Sequence, residues 1–310
     1  MLLNIVIPCY NEEAVLPETN RQLTALVGEW IAKGVLGDCR IVYVDDGSKD
    51  RTWEIIEGLQ KESPYAHGLK LAHNVGHQHA LWAGLMSSVG KCDAVVSIDA
   101  DLQHDIRAIE EMVDAYKEGC EVVYGVRNDR VTDSAFKKKT ALGFYRLMGR
   151  MGVDLIPNHA DFRLLGSKAL EALSQYPERN LFLRGMVRSL GFKERIVHFE
   201  CHDRFAGESK YTLRKMFNFA IDGITSFSVQ PLRMIAVLGF VVSLLAILAG
   251  VYALVAYFCG KTIQGWTSIL LSIWFLGGIQ LLCLGVIGEY IGKNYVEVKR
   301  RPRFIIEKEI

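Results

Sequence analysis

The chain has 310 residues, half of them hydrophobic, with 36 lysines and arginines against 35 aspartates and glutamates. That length allows one large domain with an appendage, or two domains, and a net charge of +1 gives bulk nucleic-acid binding no support. The seven cysteines are scattered and include no C-x-x-C pair, which argues against a disulfide framework or a zinc site and for a reducing compartment.

The first residues, Leu2-Leu3-Asn4-Ile5-Val6-Ile7, read as a strand. No basic region precedes an apolar one, so no signal peptide is expected and the soluble part is placed in the cytosol. Short apolar runs then alternate with helical patterns, the signature of βαβ units and a largely parallel sheet. Strands are predicted at residues 4–7, 40–44, 68–72, 94–98 and 120–125, the first broken by Pro8. Ser48 or Asp50 is placed to cap a helix beginning near Thr52. Consecutive strands end in polar or acidic residues, as in Tyr10-Asn11-Glu12, Asp45-Asp46-Gly47-Ser48 and Asp99-Ala100-Asp101. Ligands of open α/β sheets collect at that rim. Asp99 and Asp101 offer hard oxygen ligands suited to Mg²⁺ or Mn²⁺ shared with phosphates. They equally suit a helix cap followed by an acidic turn, since Asp105 and Glu110 follow.

Other patterns are excluded. His77 and His79 are spaced H-x-H without a cysteine or acid at helical spacing, so zinc is set aside. There is no G-x-G-x-x-G after the first strand and no P-loop.

Residues 133–151 are basic and amphipathic, with Lys137, Lys138, Lys139, Arg146 and Arg150 among Phe136, Phe144, Tyr145 and Leu147. They fit a surface helix or a segment lying on anionic lipid. In Asp161-Phe162-Arg163-Leu164 one acid and one base interrupt an apolar run, so they form a structural ion pair or belong to a site. Arg204 to Lys210 is a polar loop, and residues 210–228 are amphipathic. From Met234 to Gly260 there is no charge, and a second uncharged span runs from Trp266 to Gly288; each can cross a hydrocarbon core of about 30 Å. Arg214, Lys215 and Arg233 precede the spans and Lys293, Lys299, Arg300, Arg301 and Arg303 follow them, whereas the connection holds only Lys261. The positive-inside rule then puts both termini in the cytoplasm. The tail Arg303-Phe304-Ile305-Ile306-Glu307 reads as a strand that pairs with the soluble domain or a neighbouring subunit.

The segments Val6-Ile7-Pro8-Cys9-Tyr10-Asn11-Glu12-Glu13, Val44-Asp45-Asp46-Gly47-Ser48, Asp99-Ala100-Asp101-Leu102-Gln103 and Asp161-Phe162-Arg163-Leu164 closely resemble family 2 glycosyltransferases of the GT-A fold. Ser226-Phe227-Ser228-Val229-Gln230-Pro231-Leu232-Arg233, the two spans, and Gly285-Val286-Ile287-Gly288-Glu289-Tyr290 resemble the polyisoprenyl-phosphate branch, most of all bactoprenol glucosyltransferases. Dolichol-phosphate mannose synthases belong to the same branch. The resemblance implies an α/β GT-A domain at 1–209, an interfacial helix at 210–231, two transmembrane helices within 232–289 (about 234–258 and 266–288), and a cytosolic helix and tail strand at 290–310.

It also implies residue roles. Pro8, Tyr10, Asn11 and Glu12 line a nucleotide pocket, with Asp46 and Asp45 at the base or ribose. Asp99, Asp101 and Gln103 hold Mg²⁺ or Mn²⁺ on the donor diphosphate, and Arg127 lies near the sugar or acceptor phosphate. Asp161 is the general-base position, and Arg163, Ser167, Arg204, Ser209 and Lys210 receive the acceptor phosphate. The implied partners are a nucleotide sugar (UDP-glucose foremost), undecaprenyl phosphate and the inner membrane. A homo-oligomer, a flippase and a downstream glycosyltransferase complete the set. Rival readings are GDP-mannose or another UDP-sugar as donor, a processive polysaccharide synthase, and an inactive membrane scaffold.

A phosphate monoester has a second pKa of about 6, so the acceptor oxygen is already largely deprotonated at neutral pH. A strong base is not required. Bringing two anions together is the harder problem. Arg163, Arg204 and Arg127 are therefore expected to matter more than proton abstraction, with Asp161 chiefly orienting Arg163 or the donor.

Overall fold

The computed structural model describes residues 1–128, 159–200, 223–226, 228–259 and 265–310, together with 149, 151 and 156. Most of the two amphipathic segments (133–148, 150, 210–222 and 227) and Arg204, Ser209 and Lys210 lie outside the described residues.

A mixed sheet organises the soluble part. Its strands are β1 (Leu2–Cys9), β2 (Asp38–Asp45), β3 (Ala66–Leu71), β4 (Ala94–Ser97), β5 (Val122–Arg127), β6 (His159–Gly166), β7 (Glu194–Phe199) and β8 (Ile306–Glu309). They run in the order β7-β5-β6-β4-β1-β2-β3-β8. β1 pairs parallel with β2 and β4, β2 with β3, and β5 with β7. The strands alternate faces with the two-residue period of a strand buried on both sides. Leu3, Ile5 and Ile7 pack with Leu23, Val27 and Trp30 of α1 (Leu16–Ala32), Ile56 of α2 (Thr52–Glu62) and Met112 of α4 (Ala108–Lys117). Val6, Val44 and Val95 face Leu81, Trp82 and Leu85 of α3 (His77–Ser88), Leu170 and Leu173 of α5 (Ser167–Ser174), and Met186 of α6 (Leu183–Ser189).

The sheet departs from the sequence expectation in three ways. Pro8 lies inside β1 rather than ending it. Val6 O accepts from Ile98 N and Cys9 O from Asp46 N, so the even-numbered residues of β1 face β4. β4 has ended at Ser97 by the level of Pro8, so the missing N–H leaves no ladder bond unmade. β6 and β7 were not expected as strands. β6 runs antiparallel between β4 and β5, and its paired Asp161 and Arg163 disguise it in the sequence. Finally, the tail strand is Ile306–Glu309, antiparallel on the edge of β3 in the same chain. Lys70–Glu307 at 3.2 Å and Lys308–Glu57 at 2.7 Å hold it there.

The two long helices are α7 (Gln230–Phe258) and α8 (Trp266–Lys299). Both have apolar stretches long enough to cross a membrane, Gln230–Tyr252 and Ser272–Lys299, and neither stretch is buried by the rest of the chain. α8 extends well past the predicted end of the second span, and this brings its last turn onto the soluble domain.

α3 lies so close to β1 that a Cβ on Gly84 would fall 2.3 Å from Val6 Cγ1 and 2.8 Å from Val44 Cγ2. Both valines are buried in the sheet and cannot swing away. Gly84→Ala is expected to lower the unfolding free energy by about 1–3 kcal/mol through overpacking, read as a lower Tm in detergent. An unchanged Tm would show that α3 can lift from β1.

Candidate active site at the carboxyl ends of the strands

The antiparallel run of β6 brings the site together. Its register sets Ser97 of β4 opposite Arg163, and Ser97 Oγ donates to Asp161 O at 2.6 Å. Asp161, near the start of β6, thereby lies beside the end of β4, where the chain turns through Asp99.

Asp161 is held from several directions. Arg163 Nη2 donates to its Oδ1. Arg184 on α6 donates from Nε to Oδ1 at 3.3 Å and from Nη2 to Oδ2 at 3.2 Å. Gln78 Nε2 reaches Oδ2 at 3.4 Å. Burial would raise this carboxyl's pKa, but the charges of Arg184 and Arg163 outweigh it and hold the group well below the usual carboxylate range. Asp161 is thus held in its anionic form between two guanidiniums. The two arginines are not equivalent. Arg163 has a side chain only 2 % exposed, and its Nη1 donates to Leu183 O at 3.2 Å. Arg184 is 27 % exposed and presents the cluster's positive charge outward.

His77, at the start of α3, stands between the two carboxylates. Its Nε2 lies 3.7 Å from Asp99 Oδ1 and 3.7 Å from Asp161 Oδ2. On the other side of Asp99, His104 Nε2 lies 3.8 Å from Oδ2. His104 is buried, stacked on Phe162 and edge-on to Phe199, and its two ring nitrogens have no hydrogen-bond partner among the described residues. Burial pushes its pKa down, so it stands beside Asp99 as a neutral ring. The Asp99–Gln103 turn is pinned by Thr19 Oγ1 donating to Ala100 O at 2.8 Å, and Gln103 N donates to Asp101 Oδ1 at 3.2 Å. Leu102 sits at φ +56°, a conformation uncommon outside glycine, as is frequent where a turn is shaped for a site.

The loops after β1 and β2 are laced together beside this turn. Asn11 N donates to Ser48 Oγ at 3.0 Å, Lys49 N to Asn11 Oδ1 at 2.9 Å, and Glu12 N to Thr52 Oγ1 at 2.9 Å. The N-cap of α2 is Arg51, without a side-chain cap bond, rather than Ser48 or Asp50, although Asp50 accepts Thr52 N at 3.1 Å. Tyr10, Asn11 and Glu12 thus stand at the rim as expected.

Asp45 and Asp46 are placed differently from the expectation that they reach the base or ribose. Asp46 is 2 % exposed and accepts Val75 N at 2.7 Å, Gly76 N at 2.9 Å and Asn74 Nδ2 at 3.1 Å. Asp45 is fully buried and accepts Ser48 N at 3.1 Å. Both are turned inward to shape the loops. Gly47, which follows them, has φ +64°, and a Cβ there would lie 2.6 Å from Asn74 N, so only glycine lets these loops meet.

Arg127 ends β5 beside the cluster, and its charge is felt at His104. Its buried Nε has no partner among the described residues. Ser167 is displaced. Its N donates to Asp93 O at 2.8 Å, at the amino end of β4. Six residues of extended chain separate that end from Asp99, about 20 Å. An antiparallel strand that brings Asp161 to the rim must carry Ser167 away from it. Arg163 is likewise corrected as an acceptor-phosphate ligand, because burial and its internal hydrogen bonds turn it inward. Sequence reasoning missed His77, Gln78, His104 and Arg184. The first two follow β3 at the same rim as the other strand ends, which was a usable signal. Arg184 is a lone base in the apolar run Leu181-Phe182-Leu183-Arg184-Gly185-Met186, visible only as a charge needing a partner.

Together these features place a carboxylate turn beside an arginine–aspartate cluster at the carboxyl end of the sheet. The profile of glycosyl transferase family 2 matches residues 4–174, and the chain belongs to that family. It is a glycosyltransferase, and its sheet is the GT-A arrangement. The profile described as the GtrB C-terminal hairpin matches residues 230–293, the region of α7 and α8. The uncharacterized glycosyltransferase YkoT of Bacillus subtilis (strain 168) is 53% identical over 310 residues, covering 100% of this chain and 92% of that protein. The prophage bactoprenol glucosyl transferase homolog of Escherichia coli (strain K12) is 38% identical, covering 99% of each chain. The SfII prophage-derived bactoprenol glucosyl transferase of Shigella flexneri is also 38% identical, covering 99% and 98%.

The depressed pKa of Asp161 makes a stability prediction. Its folded value lies below the unfolded value of about 3.9, so the ion cluster stabilises the protein above that pH and ceases to do so as pH falls through the folded value. Arg184→Ala is expected to lower Tm at neutral pH, with the difference from the parent closing as the buffer is made acidic. A constant difference across pH would assign Arg184 to packing alone.

Proposed function

We propose that this enzyme transfers a glucosyl unit from UDP-glucose to the phosphate of a bactoprenol-type polyprenyl lipid, with inversion, at the cytoplasmic face of the membrane. The observation that carries the proposal is the outward-facing Arg184 on Asp161, in a domain joined to two membrane-length helices. The printed names of the relatives, bactoprenol glucosyl transferases aligned over nearly their whole length, support both substrate classes.

Each residue then has a task. Tyr10, Asn11 and Glu12 border the nucleotide, and Asp45 and Asp46 keep the bordering loops in place. Asp99 and Asp101 suit a divalent cation. Asp99 is partly exposed at the end of a strand, with neutral His104 rather than a competing cation behind it. Among the described residues, no three histidines, cysteines or carboxylates gather to enclose a metal. The donor set is thus two carboxylates to be completed by phosphate oxygens, the kind of site Mg²⁺ or Mn²⁺ shares with a substrate. Bound there, the ion would neutralise charge on the departing diphosphate.

The incoming phosphate meets the other half of the cluster. Arg184 engages Asp161 through Nε and Nη2 and is partly exposed, and a planar guanidinium at this rim has the geometry that suits a phosphate. Asp161 orients Arg184 and Arg163, and Arg127 adds charge at the far side. The acceptor oxygen attacks as an already ionised phosphate, so no residue here needs to remove a proton.

The test of identity is a screen of nucleotide sugars with undecaprenyl phosphate and Mg²⁺ or Mn²⁺ in detergent. UDP-glucose should give an organic-soluble glucosyl lipid. Preference for GDP-mannose or another UDP-sugar would change the donor, and no lipid product from any donor would overturn the reading. For mechanism, Asp161→Asn should lower kcat by a factor that stays constant between about pH 6 and about pH 9. A deficit that shrinks steadily with rising pH would restore Asp161 as the base.

A further inference from the structure

The last turn of α8 carries Glu297, whose carboxylate faces the loop between α5 and α6. Its Oε1 accepts the backbone N–H of Arg179 at 2.7 Å and of Asn180 at 2.8 Å, and Oε2 accepts Arg179 N at 2.9 Å. Arg179 reciprocates. Its Nη2 donates to Arg300 O at 2.9 Å, and its Nη1 donates to the carbonyl of Arg301. A carboxylate at a helix C-terminus is opposed by the helix dipole, and the terminal carbonyls lack partners. The exchange answers both problems: the loop supplies N–H groups to the acid and a guanidinium to the carbonyls.

The clamped loop leads directly to the site. His79 Nε2, in the first turn of α3, lies 3.3 Å from Arg179 O. Leu183 N donates to Gln78 Oε1 at 3.1 Å, Leu183 O receives Arg163, and Arg184 follows on Asp161. Beyond the clamp, Arg303 stacks 4.4 Å over Trp82 of α3 and donates to Tyr176 O at 2.5 Å. One short stretch, residues 179–184, thus connects the end of a membrane-length helix to the cationic cluster. Glu297 stands eight residues beyond Glu289, the first charge of α8. At about 1.5 Å per residue this is about 12 Å beyond the end of the uncharged run, at the outer edge of the headgroup layer.

We propose that Glu297 is a positioning residue: its reciprocal clamp with Arg179 fixes residues 179–184 so that Arg184 meets the acceptor phosphate at the height of the membrane surface. The proposal rests on the reading above that the acceptor is a lipid phosphate, and it assigns Glu297 no contact with substrate.

The full-length enzyme in nanodiscs tests it, with UDP-glucose and undecaprenyl phosphate as substrates. Glu297→Ala should raise KM for the lipid about tenfold, equivalent to about 1.4 kcal/mol, and leave KM for the nucleotide sugar within about twofold. Glu297→Gln keeps an accepting oxygen on the same stem and should recover most of the loss. Arg179→Ala should match Glu297→Ala, and the double variant should add little to either. Hydrogen exchange at residues 179–184 should quicken in Glu297→Ala while β1 and β2 stay protected. Donor and acceptor constants moving together, no change in either, or unaltered exchange at 179–184 would each overturn the proposal. A parent enzyme that fails to glycosylate undecaprenyl phosphate would refute the proposed function instead, and hydrogen exchange would still decide on the clamp.

Discussion

A carboxylate buried at the end of a central strand has to be neutralised where it stands, and much of this structure follows from how that is done for Asp161. Arg163 reaches it along the same strand and Arg184 from α6. The desolvation cost of such a group is several kcal/mol if it is left unpaired. The arrangement must therefore keep β6 in register with β4, keep α6 over the sheet, and keep the first turn of α3 close enough for Gln78 to bridge the two.

The same constraint separates two roles that look alike on paper. Two arginines touch one aspartate, but one is buried and the other partly exposed, and only the second is proposed to meet substrate. Asp161 is held as an anion by both of them, with its pKa below the usual carboxylate range. This agrees with the chemistry of the proposed acceptor, whose phosphate is ionised before it arrives. In the proposed reaction the site divides accordingly, with Asp99 and Asp101 suited to a cation and diphosphate and Arg184 to the second anion. His77 lies at the boundary, equidistant from both acids.

The membrane part joins this site mechanically. α8 does not stop at its first charge, Glu289. It continues until Glu297 and the carbonyls of Arg300 and Arg301 dock on the loop that carries Arg184, and β8 then zips onto β3. Docking and strand pairing together fix the catalytic rim to a helix whose depth is set by hydrophobicity.

The sequence by itself determined the elements governed by local periodicity and composition. These are the alternating strands and helices, the rim marked by Asn11, Asp46 and Asp99, the two uncharged spans, and a tail strand. Each follows from burial of apolar side chains at a fixed period, which is written in order along the chain. It also singled out Asp161 and Arg163 as charges needing a partner. What only the tertiary structure decided depends on strand direction and on contacts between distant segments. β6 runs antiparallel, so Asp161 joins Asp99 while Ser167 is carried to the opposite end of the sheet. Asp46 turns to its neighbouring loop, and His77, His104 and Arg184 meet acids 22, 5 and 23 residues away. No periodicity encodes such meetings, because they arise from the packing of whole elements against one another rather than from the preferences of any one of them.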